Sequence, residues 1–213
     1  MQFPNVKIRE ADLTRSKRLR NDLNSLQGEI LKFVPRNYNR RKLQRLRFRI
    51  FPFPREEDSN EYYYTHRNLK YICLNANLLR RSYYAALQFT LHGIAHSFCH
   101  LRDGAAEEAF CEYVGYSILE KFLSEKDEGL IRKAVRSAMR FTSKEYNSYF
   151  RAVRKLDKKR PGFLLDINSK AKTKRLSKKG EKKVIARYLK IKRNFVQDND
   201  NYSPDLEKGF KKI

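Results

Sequence analysis

Three of the chain's four histidines, His92, His96 and His100, fall within nine residues at steps of four. A step of four keeps side chains on one face of an α-helix. The residues around them, Ala85, Ala86, Leu87, Phe89, Leu91, Ile94 and Ala95, are apolar and compatible with a helix. Two imidazoles one turn apart can grip a single metal ion. Three cannot share it, because His92 and His100 stand about 12 Å apart along the axis at 1.5 Å rise per residue. A further ligand must come from another segment.

The next segment supplies one. After the turn-like Arg102-Asp103-Gly104 the chain reads Ala105-Ala106-Glu107-Glu108-Ala109-Phe110-Cys111-Glu112, helical in composition. Glu108 and Glu112 stand at i and i+4, again on one face. Glu108 is the candidate third ligand beside His92 and His96, with Glu112 and His100 in supporting positions that orient the ligands. Two histidines and a glutamate with a fourth position open form a catalytic zinc set, so zinc is the implied cofactor. The plainer reading is that these histidines simply pack in a core. Cys73, Cys99 and Cys111 lack C-x-x-C spacing and read as buried apolar residues.

The stretch His92-Gly93-Ile94-Ala95-His96 followed by Glu108-Ala109-Phe110-Cys111-Glu112 resembles the gluzincin metallopeptidases, particularly the small ImmA/IrrE-type enzymes. The resemblance spans about residues 44–125. It implies an α+β, zincin-like core: a small mixed sheet with an edge strand at 71–79 for a peptide, a metal-site helix and a glutamate helix. One departure stands out. Glycine occupies position 93, where the H-E-x-x-H signature carries its general base. Such a base typically contributes roughly 10²–10⁴-fold, and Gly93 has no side chain to replace it. Either peptidase chemistry has been lost, which is the favoured reading, or another residue serves. Glu107 is the obvious substitute, but a helix turns it about 100° away from Glu108.

The chain carries a net charge of +24, and its distribution is more telling than its size. Residues 1–50 contribute +10, residues 51–150 are neutral, and residues 151–213 contribute +14. The candidate site therefore sits in a neutral middle between basic helical N- and C-terminal extensions, with boundaries expected at 1–43, 44–160 and 161–213. In the first, Leu19, Leu23, Leu26 and Ile30 predict a helix over 10–34, ended by Pro35. Next, Arg40, Arg41 and Lys42 lead into Arg45-Leu46-Arg47-Phe48-Arg49-Ile50, whose alternation predicts a strand with Arg45, Arg47 and Arg49 on one face. A stack of guanidiniums without acids between them is self-repelling, and a phosphate would relieve it. Residues 62–64 and 71–79 read as a hairpin, and 127–141 and 144–155 as amphipathic helices, with a break at Pro161-Gly162. Beyond it, Lys172, Lys174, Arg175, Lys178 and Lys179 form a polybasic run expected to be partly disordered without a polyanion.

No apolar run is long enough for a transmembrane helix. The first residues lack the apolar centre of a signal peptide, and three scattered cysteines fit a reducing, intracellular setting. Together these features imply a nucleic-acid-binding protein on a catalytically degenerate metallopeptidase-like fold. No sequence-reading motif is present, so recognition is by shape and charge. RNA or a ribonucleoprotein particle is preferred over DNA, because it suits the arginine strand and the long lysine-rich tail. The alternative is an active zinc-dependent peptidase, localised on nucleic acid by its basic arms.

Overall fold

The structure, a computed structural model, describes residues 10–35, 46–51, 61–66, 69–124, 128–141, 144–181, 183 and 211–212. The first helix, α1 (Glu10–Ser25), buries the stripe Asp12, Ser16, Leu19 and Leu23, and α2 (Gln27–Phe33) continues it past Leu26. Hydrogen bonds from Leu26 N to Asp22 O (3.0 Å) and from Ile30 N to Leu26 O (2.9 Å) carry the chain through the junction. Val34 then turns extended (φ −79°, ψ 125°), as the residue before a proline must. The single helix expected over 10–34 is thus two consecutive segments.

Strands β1 (Leu46–Phe51), β2 (Glu61–His66) and β3 (Leu69–Asn75) follow. The helices α3 (Ala76–Arg81), α4 (Tyr83–His96), α5 (Gly104–Ser124), α6 (Glu128–Phe141), α7 (Lys144–Lys159) and α8 (Phe163–Lys172) make up the rest, with the short β4 (Lys211–Lys212) near the end. Strand order is β2-β3-β1-β4. β2 and β3 are antiparallel, as the expected hairpin requires, with Tyr63 opposite Ile72. β1 lies parallel to β3, with Phe48 opposite Ile72.

Two expectations are corrected here. The α+β zincin-like core is not what organises this chain, because its body is predominantly helical. Strand β3 adds Ile72 and Leu74 to the buried apolar core. The centre is α4, buried on all sides from Ala85 to Ala95. A helix that is apolar all round belongs inside other elements, and α5, α6, α7 and α8 supply Phe110, Val114, Leu119, Ala134, Ala138, Tyr149, Val153, Leu164 and Ile167 to cover it and one another. The second correction concerns the edge strand at 71–79. It ends at Asn75, where α3 begins, and it is hydrogen-bonded on both sides, so it offers no free edge to a peptide.

Both basic flanks contribute to this body. α1 is held by the buried Asp12, which accepts from Arg80 Nε (2.8 Å), while Arg15 donates to the Arg80 carbonyl (3.1 Å). Residues 163–181, in the segment expected to be partly disordered, bury Leu164, Ile167, Asn168, Ala171 and Glu181. No described helix is long and apolar enough to cross a membrane.

Candidate metal centre

The centre is built between α4 and the first turns of α5. Ser82 caps α4 by accepting from Ala85 N (3.2 Å) and meets Ser137 of α6 (2.7 Å between hydroxyl oxygens). At its far end α4 stops at His96, where Ser97 N bonds to Ile94 O (3.0 Å) and Phe98 N to Ala95 O (3.1 Å). The helix therefore carries His92 and His96 but not His100. His100 lies in the following loop, and its backbone N–H donates to Asn168 Oδ1 of α8 (2.7 Å). The expected run of three histidines on one face is corrected to two.

Close approach of the two helices depends on Gly115. A Cβ there would meet Gln88 O at 3.2 Å and His92 N at 3.3 Å, both backbone atoms of α4. The contact brings Glu108 and Glu112 over the histidines. His92 Nε2 and His96 Nε2 are 3.1 Å apart, and Glu108 Oε2 is 3.1 Å from the first and 3.7 Å from the second. Tetrahedral ligands at roughly 2.0–2.1 Å from an ion stand about 3.3–3.4 Å from one another, so the three atoms already have the spacing of ligands around an ion.

The other ring nitrogens explain why the gap suits a cation. His96 Nδ1 is 2.9 Å from Glu107 Oε1, and His92 Nδ1 is 3.4 Å from Glu112 Oε1. A carboxylate oxygen only accepts, so His96 Nδ1 donates to Glu107 and its Nε2 presents a lone pair, whereas His92 Nδ1 and Glu112 Oε1 stand at ion-pair distance with no hydrogen bond between them. The His96 lone pair, His92 Nε2 and a carboxylate oxygen then converge, an arrangement that a cation relieves. These are carboxylate–histidine pairs of the kind that orient metal ligands and raise their basicity. Glu112 is itself fully buried and accepts from Gln88 Nε2 (3.1 Å).

Sequence reasoning placed His92, His96 and Glu108 as ligands and Glu112 behind a histidine, and the structure brings all four together. Glu107, weighed there as a substitute base, instead has Oε1 committed to His96. One participant was missed. The ligating atoms of His92, His96 and Cys111 lie within 4.8 Å of one another, a cluster able to hold a metal ion. Cys111 is fully buried, and burial, with Cys99 beside it, pushes its thiol pKa well above the ordinary value. Its place three residues after Glu108, on the same helical face, was the available signal. Other unforeseen residues hold the loop between the two helices. Asn168 Nδ2 donates to Phe98 O (3.3 Å), and the buried Glu181 accepts from Arg102 N (2.7 Å), Asp103 N (3.1 Å) and Arg102 Nε (3.1 Å).

Of the expected phosphate-binding residues, Arg40, Arg41, Lys42 and Arg45 lie outside the described residues. Arg47 and Arg49 lie on β1, opposite Tyr71 and Cys73 of β3. Lys174, Arg175, Lys178 and Lys179 are exposed around the turn that follows α8, with Lys172 half-buried at its end. Compared with known proteins, the chain matches no family model, and none of the curated proteins or solved structures matches it.

Proposed function

We propose that this chain is a zinc-binding protein without hydrolytic chemistry, whose basic flanks bind nucleic acid, RNA in preference to DNA. The observation that carries the zinc reading is the convergence of His92 Nε2, His96 Nε2 and Glu108 Oε2 at 3.1–3.7 Å, with each histidine backed by a carboxylate. Imidazole and carboxylate donors in a tetrahedral arrangement suit zinc better than calcium or magnesium, which take oxygen ligands in larger number. Zinc bound there would offset the clustered negative charge of Glu107, Glu108 and Glu112. His92, His96 and Glu108 would hold it, while Glu107 and Glu112 keep the imidazoles in the ligating tautomer.

The same geometry speaks against peptide hydrolysis. Position 93 is a buried glycine inside α4, and the carboxylate of Glu107 holds His96. Among the described residues of the centre, no carboxylate is left in the role of general base, a group that typically contributes roughly 10²–10⁴-fold. What remains for function is the flanking charge. Lysine and arginine clusters bind phosphates by releasing counterions, largely without sequence preference.

The test is elemental analysis of the full chain purified without chelator, paired with a peptide-hydrolysis assay. About one zinc per chain, lost in both His92→Ala and His96→Ala, and no peptide turnover, is the expected result. Absence of metal from the parent chain would remove the zinc reading, and zinc-dependent turnover would remove the non-hydrolytic one.

A further inference from the structure

We infer that Cys111 is the fourth protein ligand, making this a closed centre of two histidines, one glutamate and one cysteine with no position left for water. The inference rests on the zinc reading above and concerns what completes the site. Cys111 follows Glu108 by three residues, so both side chains leave the same face of α5 toward α4. Its ligating atom lies within 4.8 Å of those of both His92 and His96. Zinc–sulfur and zinc–nitrogen bonds of roughly 2.3 and 2.0–2.1 Å place tetrahedral sulfur and nitrogen ligands about 3.5 Å apart. The sulfur therefore lies no more than about 1.3 Å beyond ligand spacing from a ring nitrogen of each histidine.

Charge and burial favour the same assignment. On ligation the Cys111 thiol gives up its proton to solvent, and its sulfur shares an electron pair with the ion. Among the direct ligands, the double positive charge is then matched by one thiolate and one carboxylate. Such a centre suits this place, where His92 and Cys111 are buried. A buried ion is tolerated when its charge is compensated by direct partners. The half-buried Cys99 beside it would remain as a thiol donor to the ligating sulfur. A site with four protein ligands is structural, whereas a catalytic one keeps a position open. The missing base at position 93 and the filled fourth position then describe the same non-hydrolytic centre. A soft sulfur ligand also selects zinc, cadmium or cobalt against magnesium, calcium or manganese.

Cobalt(II) titration of the full chain under reducing conditions tests this, because thiolate ligation is visible directly. The expected spectrum combines the visible bands of four-coordinate cobalt with a near-ultraviolet thiolate-to-cobalt charge-transfer band. Cys111→Ser should abolish the charge-transfer band and weaken binding by more than the roughly 10–100-fold that a ligand's hydrogen-bonding partner supplies, while Cys99→Ser keeps the band. X-ray absorption at the zinc edge of the unsubstituted chain should find one sulfur among four ligands, and it does not depend on whether Cys111→Ser folds. Stoichiometric metal without a sulfur ligand, or a charge-transfer band that survives in Cys111→Ser, would overturn the assignment and leave the zinc reading intact. Failure of the chain to bind cobalt or zinc at all would overturn both.

Discussion

At the scale of single residues, the candidate centre has a carboxylate behind each of its two histidines. Glu107 and Glu112 touch the far nitrogens of His96 and His92, so their effect on a bound ion is indirect. Glu107→Gln and Glu112→Gln should each lower metal affinity by roughly 10–100-fold, read by chelator competition, with stoichiometry unchanged. Unaltered affinity in both would mean that the carboxylates merely pack. Gly115 is a second residue-scale control. The backbone atoms that a Cβ would meet belong to α4 and cannot move as a flexible side chain can. Gly115→Val should therefore cost about 1–3 kcal/mol by overpacking and should weaken metal binding, because it parts the two helices that carry the ligands. A melting temperature equal to that of the parent chain would show that the helices are not so tightly apposed.

At the scale of elements, the loop from Ser97 to Asp103 joins the histidine helix to the glutamate helix, and the C-terminal region holds it. Glu181 accepts two backbone N–H groups and the Arg102 side chain while itself buried. Glu181→Ala leaves those donors without their acceptor, at roughly 1–3 kcal/mol, and should loosen the metal site from across the fold. Glu181→Gln should recover part of the loss. If metal affinity holds while the melting temperature falls, the clamp serves stability alone. A weaker link joins α2 to α5, where Glu29 takes hydrogen bonds from Lys121 (2.8 Å) and Lys32 (2.8 Å). The lysines, Lys121 foremost, hold the Glu29 carboxyl below its usual range. Its stabilising contribution is therefore present above the ordinary carboxylate pKa and fades as pH falls through the lowered one. Lys121→Ala should flatten that acid limb slightly in thermal melts taken across pH, and a limb unchanged by the substitution would show that solvent screens the pair.

At the scale of the whole molecule, the chain divides into a neutral middle and two basic flanks. Residues 51–150 carry no net charge and hold the centre, while the flanks carry the excess of +24. The exposed Lys174, Arg175, Lys178 and Lys179 surround a turn that follows a docked helix, so they can be reversed without disturbing the core. Reversing all four to glutamate should weaken RNA binding and reduce the salt slope by about 0.7–0.9 per lost phosphate contact, with the helical circular dichroism and the metal content unchanged. An unaltered slope would place the nucleic-acid surface elsewhere or remove it.

The ligand pair, the glutamates and most helices were legible along the chain, because steps of three and four on one helix are local facts. His92 and His96 are one turn apart, Glu108 and Glu112 likewise, and those relations survive whatever the helices pack against. Helix ends were less legible. His100 continued the spacing, yet α4 stops at His96, where Ser97 and Phe98 close the last turn. The α+β core was misjudged because alternation marks β1 and β3 as strands without saying how much of the interior they cover. The body is predominantly helical, around an α4 buried from Ala85 to Ala95. What the sequence by itself determined is which residues share a helical face and where the charge lies. Only the tertiary structure decided that Glu107 faces His96, that Cys111 joins the histidines, and that Glu181 holds their loop. The physical reason is that each of these depends on how closely two helices approach and at what rotation, which the close contact at Gly115 and the burial of α4 set together.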